Sequence, residues 1–183
     1  MAEDKSPDDA RPWIEAASPT HPSLIDPQHR LAELYNMVNV PTILWIDEEG
    51  RIVRPNDVAF GVDKFKEITG IDSSIHLGKL RAWVRGEGTA FGAEQTRERQ
   101  TLPDAAQQQA RAHFGLGQWL HGQGQTDSAD RQFALAGKLA PYDFMIRRGT
   151  MPMRDQDPMG PEFGAMVQDW TDAGHSYYLP LDD

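Results

Sequence analysis

The residues of this chain that could do chemistry are sparse, and the most versatile of them is missing: the sequence contains no cysteine. Disulfides, zinc–thiolate sites and thiol catalysis are therefore excluded within these 183 residues. Six histidines are scattered along the chain. His113 and His121 share a face of one predicted helix, but no third ligand has fitting spacing, which assigns them to packing or surface roles. Asp155, Asp157 and Gly160 fall at intervals found in calcium loops. Met166 stands where such a loop needs its glutamate and Pro158 intrudes, so no calcium site is assigned. Met151, Met153 and Met159 read as adaptable packing under a loop. Gly115, Gly117, Gly122 and Gly124 belong to a close helix pair, not to a phosphate-binding loop, and no serine–histidine–aspartate set has recognisable context. Asp47, Glu48 and Glu49 form an acidic turn suited to closing a hairpin. The residues themselves assign no catalytic group, no metal and no cofactor.

Charge and hydropathy narrow the partners. Acidic residues outnumber basic ones, 28 to 18, for a formal net charge of −10. Such a surface repels nucleic acid, and Lys79, Arg81 and Arg85 read as a solvated helix face. Mean hydropathy is −0.60, and no apolar run approaches the roughly 20 residues that span a bilayer. The N-terminal residues show neither the basic nor the apolar segment of a secretory signal. A cytoplasmic protein, bound to neither membrane nor nucleic acid, is the expectation.

The elements that must position any site follow from caps and periodicity. Ser6 followed by Pro7, Asp8 and Asp9 predicts a helix start, and Asp26-Pro27 predicts a second, carrying Leu31, Leu34 and Tyr35 on one face to an end near Asn36. Residues 42–46 form an unbroken apolar run, expected as an interior strand covered on both faces. Residues 51–54 alternate polar and apolar as an edge strand does, and Gly50 closes the hairpin between the two. Short helices are predicted over residues 63–68 and from Ser74 to near Gly86. From about Ala90 strand formers nearly vanish. Residues 104–139 are helical by pattern, broken at Gly122-Gln123-Gly124. Residues 151–159 are expected as an irregular loop before a last helix over 161–170.

Two resemblances rest on these stretches. Leu116, Gly117, Leu120, Gly124, Ala129, Phe133, Ala136 and Pro141 match the 34-residue tetratricopeptide pattern at nearly every marked position, with His113 where that pattern usually has Trp. A single such repeat cannot bury its own faces and is expected to pack on the rest of the chain or on a partner. Residues 21–55 resemble thioredoxin-like redoxins of the peroxiredoxin and membrane-tethered oxidoreductase type, through Asp26-Pro27, Val40-Pro41-Thr42, Ile46-Asp47 and Gly50-Arg51-Ile52-Val53. That resemblance implies an α/β fold: a partial thioredoxin-like domain over 1–86, then an all-α extension over 87–183 with the repeat-like hairpin at about 104–141. It implies a cis Pro41 in a substrate-facing loop of Val40, Pro41 and Thr42, where groups of Val40 pair with an extended peptide or thiol substrate.

The family's reactive cysteine lies upstream of the matched stretch, and three readings follow. In the first, the reading frame is opened late, one version being an upstream selenocysteine codon read as a stop. The chain is otherwise a degenerate redoxin that binds without reacting. In the third, residues 23–25 complete a compact sheet without further strands. The leading functional expectation is the C-terminal part of a thiol- or selenol-dependent oxidoreductase, catalytically incomplete as it stands. The alternative is a non-catalytic module that binds a protein or peptide through the helical repeat and the Pro41 loop, with self-association through an open sheet edge.

Overall fold

The computed structural model describes residues 6–88 and 90–181. Among them the chain is predominantly helical, with 54% of residues in helices and 6% in strands. The helices are α1 (Pro7–Ala17), α2 (Arg30–Leu34), α3 (Lys66–Thr69), α4 (Ser73–Val84), α5 (Ala93–Arg99), α6 (Ala105–Gly122), α7 (Thr126–Leu139), α8 (Phe144–Gly149) and α9 (Pro161–Asp172). The strands are β1 (Ile43–Ile46) and β2 (Ile52–Asp57).

This overturns the expected α/β, partly thioredoxin-like fold. β1 and β2 pair antiparallel and form the whole of a two-stranded sheet among the described residues, and residues 23–25 add no strand to it. Nor is the apolar run covered on both faces: Ile43 and Leu44 are half-buried and Ile46 is exposed. Caps and helical periodicity dominate on either side of the hairpin, so the chain commits its remaining apolar residues to helices and leaves no strand to widen the sheet.

Local chemistry explains most helix ends. Ser6 and Asp9 form a reciprocal cap on α1, with the Ser6 hydroxyl accepting from the Asp8 amide. Asp26 caps α2 from four to six residues upstream, its carboxylate accepting the amides of Arg30, Leu31 and Ala32. Asp72, not Ser74, caps α4. Asp104 caps α6 and Asp143 caps α8. Gly50 adopts a φ of 77° at the hairpin turn, a left-handed geometry that glycine takes at least cost. Asp47 closes the same turn by accepting from the Arg51 and Glu49 amides.

The chain divides into two compact units, each assembled from two stretches: Met1–Val38 with Pro103–Asp169, and Asn39–Leu102 with Trp170–Asp183. The first is organised by the α6–α7 hairpin, whose seam buries Ala110, Phe114, Ala129, Phe133, Ala136, Ala140 and Ile146. α8 docks against it, and the Phe144 amide donates to the Val38 carbonyl. The second is organised by β1, β2, α4 and α5, with the Phe91 amide donating to the Val53 carbonyl on the outer side of β2. No described helix is long and apolar enough to cross a membrane.

Gly117 sets the closeness of the hairpin seam. A Cβ built there would lie 2.4 Å from the Phe133 ring. Gly117→Ala is therefore expected to cost about 1–3 kcal/mol by overpacking, read as a lower midpoint in chemical denaturation. Phe133→Leu in the same background should recover part of that loss, giving favourable coupling in a double-mutant cycle.

Candidate functional site

The Pro41 loop is organised by one side chain that the sequence reading did not single out. Asn39 is buried, and its side-chain amide and its carbonyl are all engaged. Its Nδ2 donates to the Tyr177 carbonyl at 2.8 Å, its Oδ1 accepts from the Val40 amide at 2.8 Å, and its carbonyl accepts from the Thr42 hydroxyl at 2.6 Å. The Val40-Pro41 peptide bond is cis. Val40, Pro41 and Thr42 are thus brought together as a half-buried corner leading into β1. The resemblance gives the Val40 carbonyl and amide to a substrate; here the amide donates to Asn39 Oδ1.

Beneath β1 lies a polar core. Trp45 points inward, stacks on Trp83 with centroids 5.1 Å apart, and meets the edge of His76 at 5.9 Å. Arg54, opposite Trp45 in the ladder, is held between two aromatic faces, 5.3 Å from the Trp45 ring and 5.0 Å from Phe91. Its Nε donates to Asp57 Oδ2 at 2.9 Å, and both side chains are buried. Asp57 Oδ1 accepts from the amides of Val58 and Leu181, tying the C-terminal tail to β2. A carboxylate with these donors anchors strand, loop and tail to one another. His76 is also buried, and that burial holds its pKa below the ordinary 6.5, against the pull of Asp57.

The other unit carries a second polar cluster. Asp143 is almost fully buried; its Oδ1 accepts from the Ile146 amide and its Oδ2 from Gln107 Nε2 at 2.9 Å, with an Arg111 nitrogen at 3.8 Å. Burial nevertheless raises its pKa, partly offset by Gln107 and the Ile146 amide. Arg111 also donates to the Glu33 carbonyl and to Asn36 Oδ1, so it laces α6 to the end of α2. His29, edge-on to Phe114 at 5.2 Å, is kept neutral to lower pH by burial, against Asp26. His29, Glu33, Arg111, Phe114 and Asp143 line a cleft of about 50 Å³, room for a few waters but far below the ~300 Å³ at which small-molecule pockets begin.

Of the repeat residues, Gly117, Ala129, Phe133 and Ala136 meet in the seam, with Leu120 packed at its margin. Leu116 faces outward at 45% exposure, and Pro141 is exposed just past the α7 cap. His113 Nδ1 donates to Gln132 Oε1 at 2.7 Å across the hairpin. Arg54 is the instructive omission, and the opposite charge three residues on, at Asp57, is the signal the sequence offers for it. Comparison with protein-family models, curated proteins and solved structures finds no match.

Two measurements test this description. Asp57→Ala leaves the Arg54 guanidinium buried without its partner and should cost about 3–5 kcal/mol, whereas Arg54→Met with Asp57→Leu should cost clearly less; urea midpoints decide. Separately, the unfolded chain protonates histidine near 6.5 while folded His76 and His29 resist protonation to lower pH. The unfolded state therefore binds more protons over that interval, and stability should fall as pH drops below about 6.5. Thermal midpoints of the His76→Gln and His29→Gln variants should each slope less between pH 7 and pH 5 than those of the parent.

Proposed function

We propose that this chain is a protein-interaction module that takes an extended peptide segment alongside β1, next to the Pro41 corner. The observation that carries this reading is that β1 pairs with β2 on one edge and with no other described strand. An open strand edge presents backbone donors and acceptors in the spacing that a second strand needs, and it is the usual template for strand addition. The Asn39 bonds hold the entry to that edge in one conformation, which lowers the ordering cost of binding. Ile46, exposed at the end of β1, supplies an apolar contact for a side chain of the incoming peptide.

A second reading rests on the redoxin resemblance carried by Val40-Pro41-Thr42, Ile46-Asp47 and Gly50-Arg51-Ile52-Val53. In it, the same peptide-binding edge serves a thiol or selenol oxidoreductase whose reactive atom comes from residues outside these 183. Genomic sequence immediately upstream separates the two: an in-frame strand and a helix start bearing Cys or UGA supports the second, and a stop with a ribosome-binding signal removes it.

Selection of phage-displayed random 12-residue peptides on this chain tests the binding function. Enriched peptides should be rich in β-branched residues and should lose at least tenfold in affinity when alternate backbone amides are N-methylated. Ile46→Lys should weaken the same peptides by a similar factor while shifting the melting temperature little, because the side chain is already solvated. Peptides that bind equally well after N-methylation would remove strand addition as the mode.

A further inference from the structure

The outward face of α6 differs from every expectation for a solvated helix. Each exposed residue between Ala105 and Gly122 is uncharged, although the chain as a whole carries −10. The α7 helix beside it shows the ordinary pattern, with Asp127, Asp130, Arg131 and Lys138 on its exposed side. On α6 the exposed positions Ala105, Gln109, Ala112, Leu116 and Trp119, with Gln123 at the cap, recur at alternating steps of four and three residues. That is the spacing of a helix–helix seam, and it lies on the side of α6 turned away from Ala110, Phe114 and Gly117, which face the hairpin core. Leu116 is 45% and Trp119 58% exposed, a large apolar area to leave in water.

We infer that this face is an interface between two copies of the chain, packed α6 against α6 about a two-fold axis near Phe114. An antiparallel pairing about that point sets Leu116 of each copy against Ala112 of the other, Trp119 against Gln109, and the Gln123 cap against Ala105. Bulky residues in the C-terminal half meet small or flexible ones in the N-terminal half, so the face is complementary to itself, as a two-fold contact requires. Charge selects the same occupant. Two copies at −10 each repel through any surface where their charges meet, and a contact free of ionisable groups is the one on which they can close. A partner recognised through charge would find nothing to read on this face. One helix of this length is about 27 Å long and covers less than the ~800 Å² per partner of a standard interface, so the dimer is weak, with a dissociation constant on the order of 10 µM or above.

Sedimentation equilibrium of the full chain from about 1 to 500 µM, in low and high salt, tests this directly. The expected result is a reversible monomer–dimer equilibrium that strengthens severalfold as salt screens the net repulsion. Trp119→Glu and Leu116→Lys should each shift association by tenfold or more toward monomer with the circular dichroism spectrum unchanged, while Leu135→Lys on α7 leaves it as it was. Because the chain has no native cysteine, an oxidised equimolar mixture of Ala112→Cys and Leu116→Cys variants should give mixed disulfide dimers well beyond the twofold excess over either homodimer that random pairing produces. A monomer throughout the concentration range, a dimer indifferent to Trp119→Glu, or a dimer lost instead in Ile46→Lys would each overturn the inference. The last result would place self-association at the β1 edge.

Discussion

The buried Arg54–Asp57 pair is the interaction on which the sheet-bearing unit depends. Removing two charges from water costs several kcal/mol per ion, repaid only where geometry and further hydrogen bonds are good. Here the repayment draws on separate parts of the chain: Trp45 of β1 and Phe91 ahead of α5 flank the guanidinium, and the amides of Val58 and Leu181 complete the carboxylate. A two-stranded hairpin is marginal alone in water. What stabilises this one is a polar pin that calls in residues from strand, helix and tail together. The same pin turns Trp45 inward, against Trp83 and His76, which commits the inner face of β1 to the core of its unit.

The helical unit solves a related problem by different means. Its seam is made by size: Gly117 admits the Phe133 ring, and Ala129 and Ala136 let the helices approach. Asp143 then does for α8 what Asp57 does for the tail, capping a short helix while engaging Gln107 across the hairpin. Arg111 extends the connection to the carbonyl of Glu33 and the side chain of Asn36. Five-residue α2 would not persist alone; the Asp26 cap and the Arg111 bonds hold it on the hairpin. Both polar clusters are thus engaged by hydrogen bonds from several elements of their own unit.

What was legible in the sequence was local. Ser6 with Asp9, the Gly50 turn, the break at Gly122-Gln123-Gly124 and the small-residue seam of the hairpin are decided by neighbours within a few residues, and each appears where its residues predicted. The fold class was not, because residues 42–46 carry the composition of an interior strand without a third strand to enclose them. Composition registers what a segment prefers to bury; it is silent on whether the chain supplies the cover. The short helices α5 and α8 escaped notice for a similar reason, since six or seven residues give too little periodicity to register and their burial comes from distant packing. Arg54 and Asn39 were missed because a polar residue reads as exposed until its partners, Asp57 or Tyr177, are known.

The β1 edge and the α6 face have different physical character, and that difference argues for different occupants. The β1 edge is a row of backbone groups, indifferent to side-chain charge and satisfied by any extended segment in register. The α6 face offers almost no directional hydrogen bonding beyond its glutamines; it offers shape, with Trp119 and Leu116 at one end and Ala112 at the other. Peptide binding at the first needs only a flexible strand from elsewhere, whereas closure at the second needs a surface with the inverse relief, which the chain itself carries when turned end for end. A net charge of −10 sharpens the distinction: a neutral helix face spares two copies the close contact of like charges, and the long-range repulsion that remains weakens with salt, while backbone pairing of a short peptide at a strand edge is little affected by ionic strength.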